Sequence, residues 1–390
     1  MKRLILMITI SFIITLPACT SSSTPTTVFS TATPLQNPPT PTLSPNPTAS
    51  PKPTMTLEPI PFVLATPGPY DTGIAHFSFV DANRDNREVS IVIRYPAIVS
   101  EDQKGSDVKD APPNLTDAPY PVILSSSKVA AIFGSHLASH GFITVGVRNI
   151  DTYEPWDWNL VDQPLDILFA LDMVATQPLD GLEAIIDSNR AGVMGYSFDG
   201  YNSLAMSGAR IDPEFYLTQC EQADTIEPPL TEWKIWFFCD LASKWDQFVV
   251  HAGEELTASE DGLWQPMTDP RILAVMPMAP EGAWLFGERG LAAVDRPTLI
   301  IGATLDGLCP YQTEAVYIFE HLNTPNRYMI SFVGKGHMMI YDIEPVKRMK
   351  HFATAFFSYY LQGREDYALY FSEDFVSRYE DLAWGVYSGK

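Results

Sequence analysis

Ala191-Gly-Val-Met-Gly-Tyr-Ser-Phe-Asp-Gly200 runs an apolar strand-like segment into Gly195 and then sets a single serine, Ser197, ahead of a helical pattern over residues 200–209. A strand that turns abruptly into a helix strains its turn residue and pushes that side chain up over the sheet. Strand and helix crowd each other there, so small residues are needed two before and two after the serine. Gly195 meets that need. Asp199 stands where the G-x-S-x-G pattern has its second glycine, and Gly200 beside it relieves the crowding. The same turn aims backbone N–H groups and a helix N-terminus at the space where an oxyanion develops.

The segments around this turn have a consistent rhythm. Residues 74–81 and 87–97 alternate apolar and polar side chains, as an antiparallel hairpin does. Their connection contains Asp81, Asn83 and Asp85 at calcium-loop spacing, but Val92 holds the position where the closing glutamate belongs, so a hairpin turn is expected. Short apolar runs follow at 120–126, 142–149, 190–196, 271–280, 296–306 and 326–334, as suits strands buried on both faces. Helical patterns separate them at 132–141, 163–177, 200–209, 311–323 and 346–363. The alternation predicts an α/β architecture with a mostly parallel central sheet flanked by helices. Residues 210–270 break the rhythm with an aromatic-rich, irregular stretch, expected to be an insertion capping the strand ends. Its Trp233, Trp236, Phe237 and Phe238 either line a pocket or form the insertion's own core.

A serine hydroxyl is a weak nucleophile at neutral pH and needs a base, itself oriented by an acid. After an elbow serine of this kind the acid and then the base follow in chain order, each beyond a later strand. Asp306 ends the run at 296–306, and His337 lies in a glycine-containing turn after the run at 326–334. The other histidines fall in a strand (His76), in or beside helical patterns (His136, His140, His321, His351) or in the insertion (His251). Asp295 precedes its strand and Glu281 follows an earlier one, so Asp306 is the expected acid. No His/Glu zinc pattern appears, and the chemistry needs neither metal nor cofactor.

The 390 residues are 46% hydrophobic and 12% aromatic, enough for a large core, and the formal net charge of -22 argues against a nucleic-acid partner. Met1-Lys2-Arg3 and the apolar stretch Leu4 to Leu16 form a secretory-type leader, too short to span a membrane comfortably. The leader's end, Leu16-Pro17-Ala18-Cys19, resembles a bacterial lipobox. A lipoprotein signal over 1–18 with lipid on Cys19 is expected, which makes the protein exported and anchored to a membrane through that lipid. An ordinary secretory signal or an uncleaved anchor are the alternatives. Residues 19–69, rich in Ser, Thr and Pro, read as a disordered tether, and 70–390 as the folded body. Cys220 and Cys239 either pair in a local disulfide or stay reduced, with Cys309 free.

Residues 138–149, 164–172, 187–212, 286–306 and 334–339 together resemble the platelet-activating-factor acetylhydrolase and dienelactone-hydrolase-like branch of the α/β-hydrolases. The resemblance implies an α/β-hydrolase fold over about 70–365 and a serine esterase acting on carboxylic esters, a small-molecule ester or a phospholipid. It places the nucleophile on Ser197, the acid on Asp306, the base on His337 and the oxyanion donors on the N–H groups of Phe198 and Val129. Two departures stand out. Ser127-Lys128-Val129-Ala130 replaces the family's glycine-containing oxyanion loop, and Asp199 replaces the elbow glycine, where Lys128 neutralises it if the two meet. A catalytically impaired hydrolase used for binding, or a peptidase or amidase of the same fold, are the competing expectations.

Overall fold

The computed structural model describes residues 58–148, 155–225 and 231–389. The leader, Cys19 and the tether up to residue 57 lie outside the described residues. Strands β1 (Asp71–Asp81) and β2 (Arg87–Ala97) pair antiparallel over their full length, from Asp71 opposite Ala97 to Asp81 opposite Arg87. In the turn between them, Asp85 and Asn86 take positive φ. The Asp81 carboxylate accepts from Asn83 N at 3.0 Å and Arg84 Nε at 2.7 Å, so it serves the turn.

The remaining strands are β3 (Asp107–Lys109), β4 (Tyr120–Ser126), β5 (Ile143–Val147), β6 (Ile186–Tyr196), β7 (Ile272–Met278), β8 (Thr298–Ala303), β9 (Arg327–Phe332) and β10 (Leu382–Trp384). They form one ten-stranded mixed sheet in the order β10-β9-β8-β7-β6-β4-β5-β2-β1-β3. The six central strands, β9 to β5, run parallel. Every residue of β4, β5 and β8 is buried, because helices cover both faces. Helices α1 (Ser127–Ser139), α2 (Asn159–Thr176) and α3 (Phe198–Met206) follow β4, β5 and β6. Successive residues of β4 point to opposite layers. Ile123 packs with Phe133 and Leu137 of α1, while Val122 and Leu124 pack with Ile167 and Leu171 of α2. The parallel, helix-flanked α/β sheet expected from the run-and-helix rhythm is therefore present.

Three boundaries differ from expectation. The body begins before residue 70: Leu64 is buried, Phe62 packs on the core, and Gly68 N donates to Ser139 Oγ at 2.9 Å. Apolar Ile60, Phe62 and Leu64 interrupt the Ser/Thr/Pro composition there and have a core to join. The chain's end adds β10, antiparallel to β9. It is a three-residue strand that leaves no periodic signature. Helix α1 starts at Ser127, five residues ahead of the predicted 132–141. With no glycine to interrupt it, Lys128-Val-Ala-Ala propagates the helix directly from β4, capped by Ser126.

The insertion folds as α4 (Pro213–Glu221), α5 (Glu232–Cys239), α6 (Trp245–Ala252) and α7 (Glu254–Thr257), with 3-10 turns between them. Cys220 and Cys239 are disulfide-bonded and tie α4 to α5, while Cys309 is a free, buried thiol. Fully buried Phe248 of α6 stacks on Trp158 and Trp264, with ring centroids 5.7 and 5.2 Å away. Phe248→Ala is expected to cost about 3–5 kcal/mol in chemical denaturation, through lost burial and the cavity it leaves. A loss under about 1 kcal/mol would show that the insertion does not share the main core's cooperativity.

Candidate active site

Ser197 sits between β6 and α3 with φ 61° and ψ −122°, a conformation that costs a non-glycine residue strain and is held by its surroundings. Its N–H donates to Met278 O on β7 at 3.0 Å, and its carbonyl accepts from Gly200 N at 2.8 Å. A Cβ on Gly195 would lie 1.7 Å from the Asp199 carbonyl oxygen, so no side chain fits two residues before the serine. A Cβ on Gly200 would lie 2.8 Å from Pro280 Cα. The close helix–strand approach thus falls at Gly200, which leaves position 199 free to carry a carboxylate.

Asp306 and His337 reach Ser197 from the ends of β8 and β9, two and three strands along the sheet from β6. The loops after β8 and β9 are stitched together by Leu305 N to Lys335 O and Gly334 N to Thr304 Oγ1, both 2.8 Å. One Asp306 oxygen accepts from Leu308 N and Cys309 N at 2.9 and 2.8 Å. The other accepts from His337 Nδ1 at 2.8 Å. His337 Nε2 is 2.9 Å from Ser197 Oγ. With a carboxylate on Nδ1, that nitrogen carries the proton and Nε2 is left to accept the serine hydroxyl. Tyr196, next to Ser197, hydrogen-bonds through its hydroxyl to the His337 carbonyl and so anchors the turn that carries His337. Its role was not read from the sequence, because a Tyr at the x position of G-x-S carries no signal of its own.

The rivals lie elsewhere. Asp295 precedes β8 and pairs with Arg296. His251 contacts Asp162 at 3.0 Å on the insertion side. Glu281 is close to the site without touching the ring nitrogens of His337, which Asp306 and Ser197 occupy.

The expected oxyanion donors divide. Phe198 follows Ser197 as the first residue of α3, where a first-turn N–H has no partner within its own helix. Val129 borders the same cavity, but its N–H donates to Ser126 Oγ at 3.2 Å, so the expected second donor is already engaged as a helix cap. The cause is the missing loop: β4 passes straight into α1, and the third helical N–H finds the cap. Ser127, the first residue of α1, also borders the cavity, and its first-turn N–H has no partner within its own helix.

Asp199 accepts from Ser126 Oγ, and from Asn202 Nδ2 at 3.2 Å. Burial raises its pKa to about 6, outweighing the Ser126 bond, the Lys128 charge and the Asn202 bond, which pull it down. Lys128 therefore acts on Asp199, as expected if they meet. A carboxyl raised on folding adds stability below its unfolded pKa near 4, which is lost as pH rises through about 6. Asp199→Asn removes that loss. Relative to wild type it should gain up to about 2 kcal/mol between pH 4 and pH 8 in urea denaturation. Parallel stability–pH curves would contradict the burial effect.

A cavity of about 290 Å³ joins these groups. Ser197 and His337 border it, with Val129, Ile132, Trp233, Phe237 and Leu308 among its apolar walls. The four neighbouring aromatics read as pocket or core, Trp233, Trp236, Phe237 and Phe238, split. Trp233 and Phe237, one turn apart on α5, line the cavity, Phe238 is buried in the insertion core, and Trp236 is half-exposed. Met338 and Tyr341, 59% and 69% exposed, put apolar surface at the rim. No helix among the described residues is long and apolar enough to cross a membrane.

In comparisons with known proteins, no family profile matches the chain and no curated protein matches it significantly.

Proposed function

We propose that this protein is a serine esterase of the α/β-hydrolase fold that cleaves carboxylic esters by two-step acyl transfer. The observation that carries the reading is the continuous line Asp306–His337–Ser197, with both hydrogen bonds under 3 Å and the serine in an elbow conformation. His337 Nε2 takes the Ser197 proton as Oγ attacks the ester carbonyl carbon. Asp306 holds the imidazolium that forms. The Phe198 N–H, with a first-turn N–H of α1, receives the oxyanion. His337 then protonates the leaving alcohol, and a water activated by the same imidazole releases the acid.

The apolar cavity walls and rim favour esters with an apolar acyl or alcohol part, including phospholipids. An exported protein held to a membrane by lipid on Cys19 would meet such substrates at the membrane surface. The engaged Val129 N–H favours a second reading, a hydrolase fold with impaired turnover. One experiment separates them: p-nitrophenyl acetate turnover beside labelling by a fluorophosphonate probe. Labelling of Ser197 with turnover supports the esterase. Labelling without turnover supports the impaired hydrolase, and no labelling removes both nucleophile readings.

A further inference from the structure

Glu281, which follows β7, borders the Ser197 cavity, is 4% exposed and forms no ion pair among the described residues. One carboxyl oxygen accepts the Trp156 indole N–H at 3.3 Å. Among the described residues the other has only the Cys309 thiol, a weak donor, at 3.8 Å. A carboxylate has about four lone-pair sites, so this one is poorly satisfied for a buried group. The acyl-transfer steps do not use it, because Asp306 already holds His337. The aromatic residues Tyr196, Phe198, Trp233, Phe237 and Tyr341 border the same cavity. A buried carboxylate among aromatic walls is the chemistry that recognises an ammonium group. A chain of net charge -22 also draws cations toward itself.

We propose that Glu281 and the aromatic walls of the cavity form a subsite for a positively charged ammonium group carried by the ester substrate. This rests on the esterase reading and narrows it to esters of cationic alcohols or acids. Several groups surround Glu281. Trp156 precedes α2, Asp306 and Cys309 follow β8, and His337 follows β9. Glu314 lies in the turn at Gln312–Val316, and Lys234 of α5 acts on Cys309, Asp306 and Glu314. Burial raises the Glu281 pKa to about 7, against the Trp156 bond and the His337 charge, which lower it. The subsite is therefore charged at pH 8 and loses its charge as pH falls through about 7.

The test compares acetylthiocholine with its neutral isostere S-(3,3-dimethylbutyl) thioacetate. At pH 8 kcat/KM should favour the cationic ester by about tenfold, and the ratio should shrink toward one at pH 5.5. A pH effect on the acyl-transfer steps shared by both esters cancels from the ratio. Glu281→Gln should bring the pH 8 ratio toward one, whatever it does to the neutral ester's own rate. In the wild-type protein, tetramethylammonium should protect Ser197 from the fluorophosphonate at pH 8 and much less at pH 5.5, so the proposal does not depend on the variant folding. Fluorophosphonate labelling with no preference for the cationic ester, or with no protection by tetramethylammonium, overturns the ammonium subsite and leaves the esterase reading standing. Absence of labelling overturns both.

Discussion

Ser197→Ala is expected to lower kcat/KM for p-nitrophenyl acetate by about 10⁵–10⁶-fold and to abolish fluorophosphonate labelling. On the proposed esterase mechanism the magnitude follows from covalent catalysis. Without Oγ there is no acyl-enzyme, and His337 has nothing to deprotonate at the position the elbow presents. The structural cost should be small. The substitution removes one hydroxyl, whose contacts are His337 Nε2 at 2.9 Å and the Cys309 thiol at 3.9 Å, and leaves the backbone bonds to Met278 and Gly200 in place. The thermal midpoint should therefore stay within a few degrees of wild type, so lost activity cannot be blamed on unfolding. Retained labelling would move the nucleophile elsewhere, and the buried Cys309 thiol is a poor substitute. Burial and the neighbouring Glu281, Asp306 and Glu314 carboxyls push its pKa well up, away from the thiolate it would need.

Asp306→Asn is the second large effect, a loss of about 10⁴-fold in kcat with KM little changed. The side chain keeps its shape, so the fold should persist. What changes is which imidazole nitrogen carries the proton. The carboxylate accepts from Nδ1–H and leaves Nε2 free to take the Ser197 proton. An amide oxygen at the same place has to compete with its own NH₂ group, because the other oxygen site is already held by the N–H groups of Leu308 and Cys309. Those donors favour putting the amide oxygen toward themselves, which turns the NH₂ toward Nδ1. The imidazole then carries its proton on Nε2 and is no longer a base for the serine. Activity within tenfold of wild type would mean that His337 is oriented mainly by its backbone, through Tyr196 and the turn at His337–Tyr341.

Much of this was legible along the chain because the signals are local. Fully apolar runs mark strands covered on both sides, and β4 to β9 fall on them within a few residues. Gly195 and Ser197 announce the elbow, since the crowding that requires glycine arises within five residues of chain, between Gly195 and the Asp199 carbonyl. Most of what was missed depends on partners distant in sequence, the Val129 amide being the local exception. Residues 58–69 read as tether until Leu64 finds its place beside His351, 287 residues on. Three-residue β10 becomes a strand only because β9 offers an unpaired edge. The Val129 amide looked available as an oxyanion donor, and it is engaged only because β4 ends directly in a helix whose cap is Ser126.

By itself the sequence determined the alternation of strands and helices, the elbow at Ser197, and the order in which an acid and a base could follow. Each of these depends on residues a few positions apart, where backbone sterics and periodicity act. Tertiary structure decided which acid reached His337, whether Cys220 met Cys239, and which carboxyls were buried beside Ser197. Those depend on the fold bringing together side chains 19 to 140 residues apart, and on burial, which alone turns Glu281 and Asp199 from ordinary carboxylates into groups that titrate near neutrality.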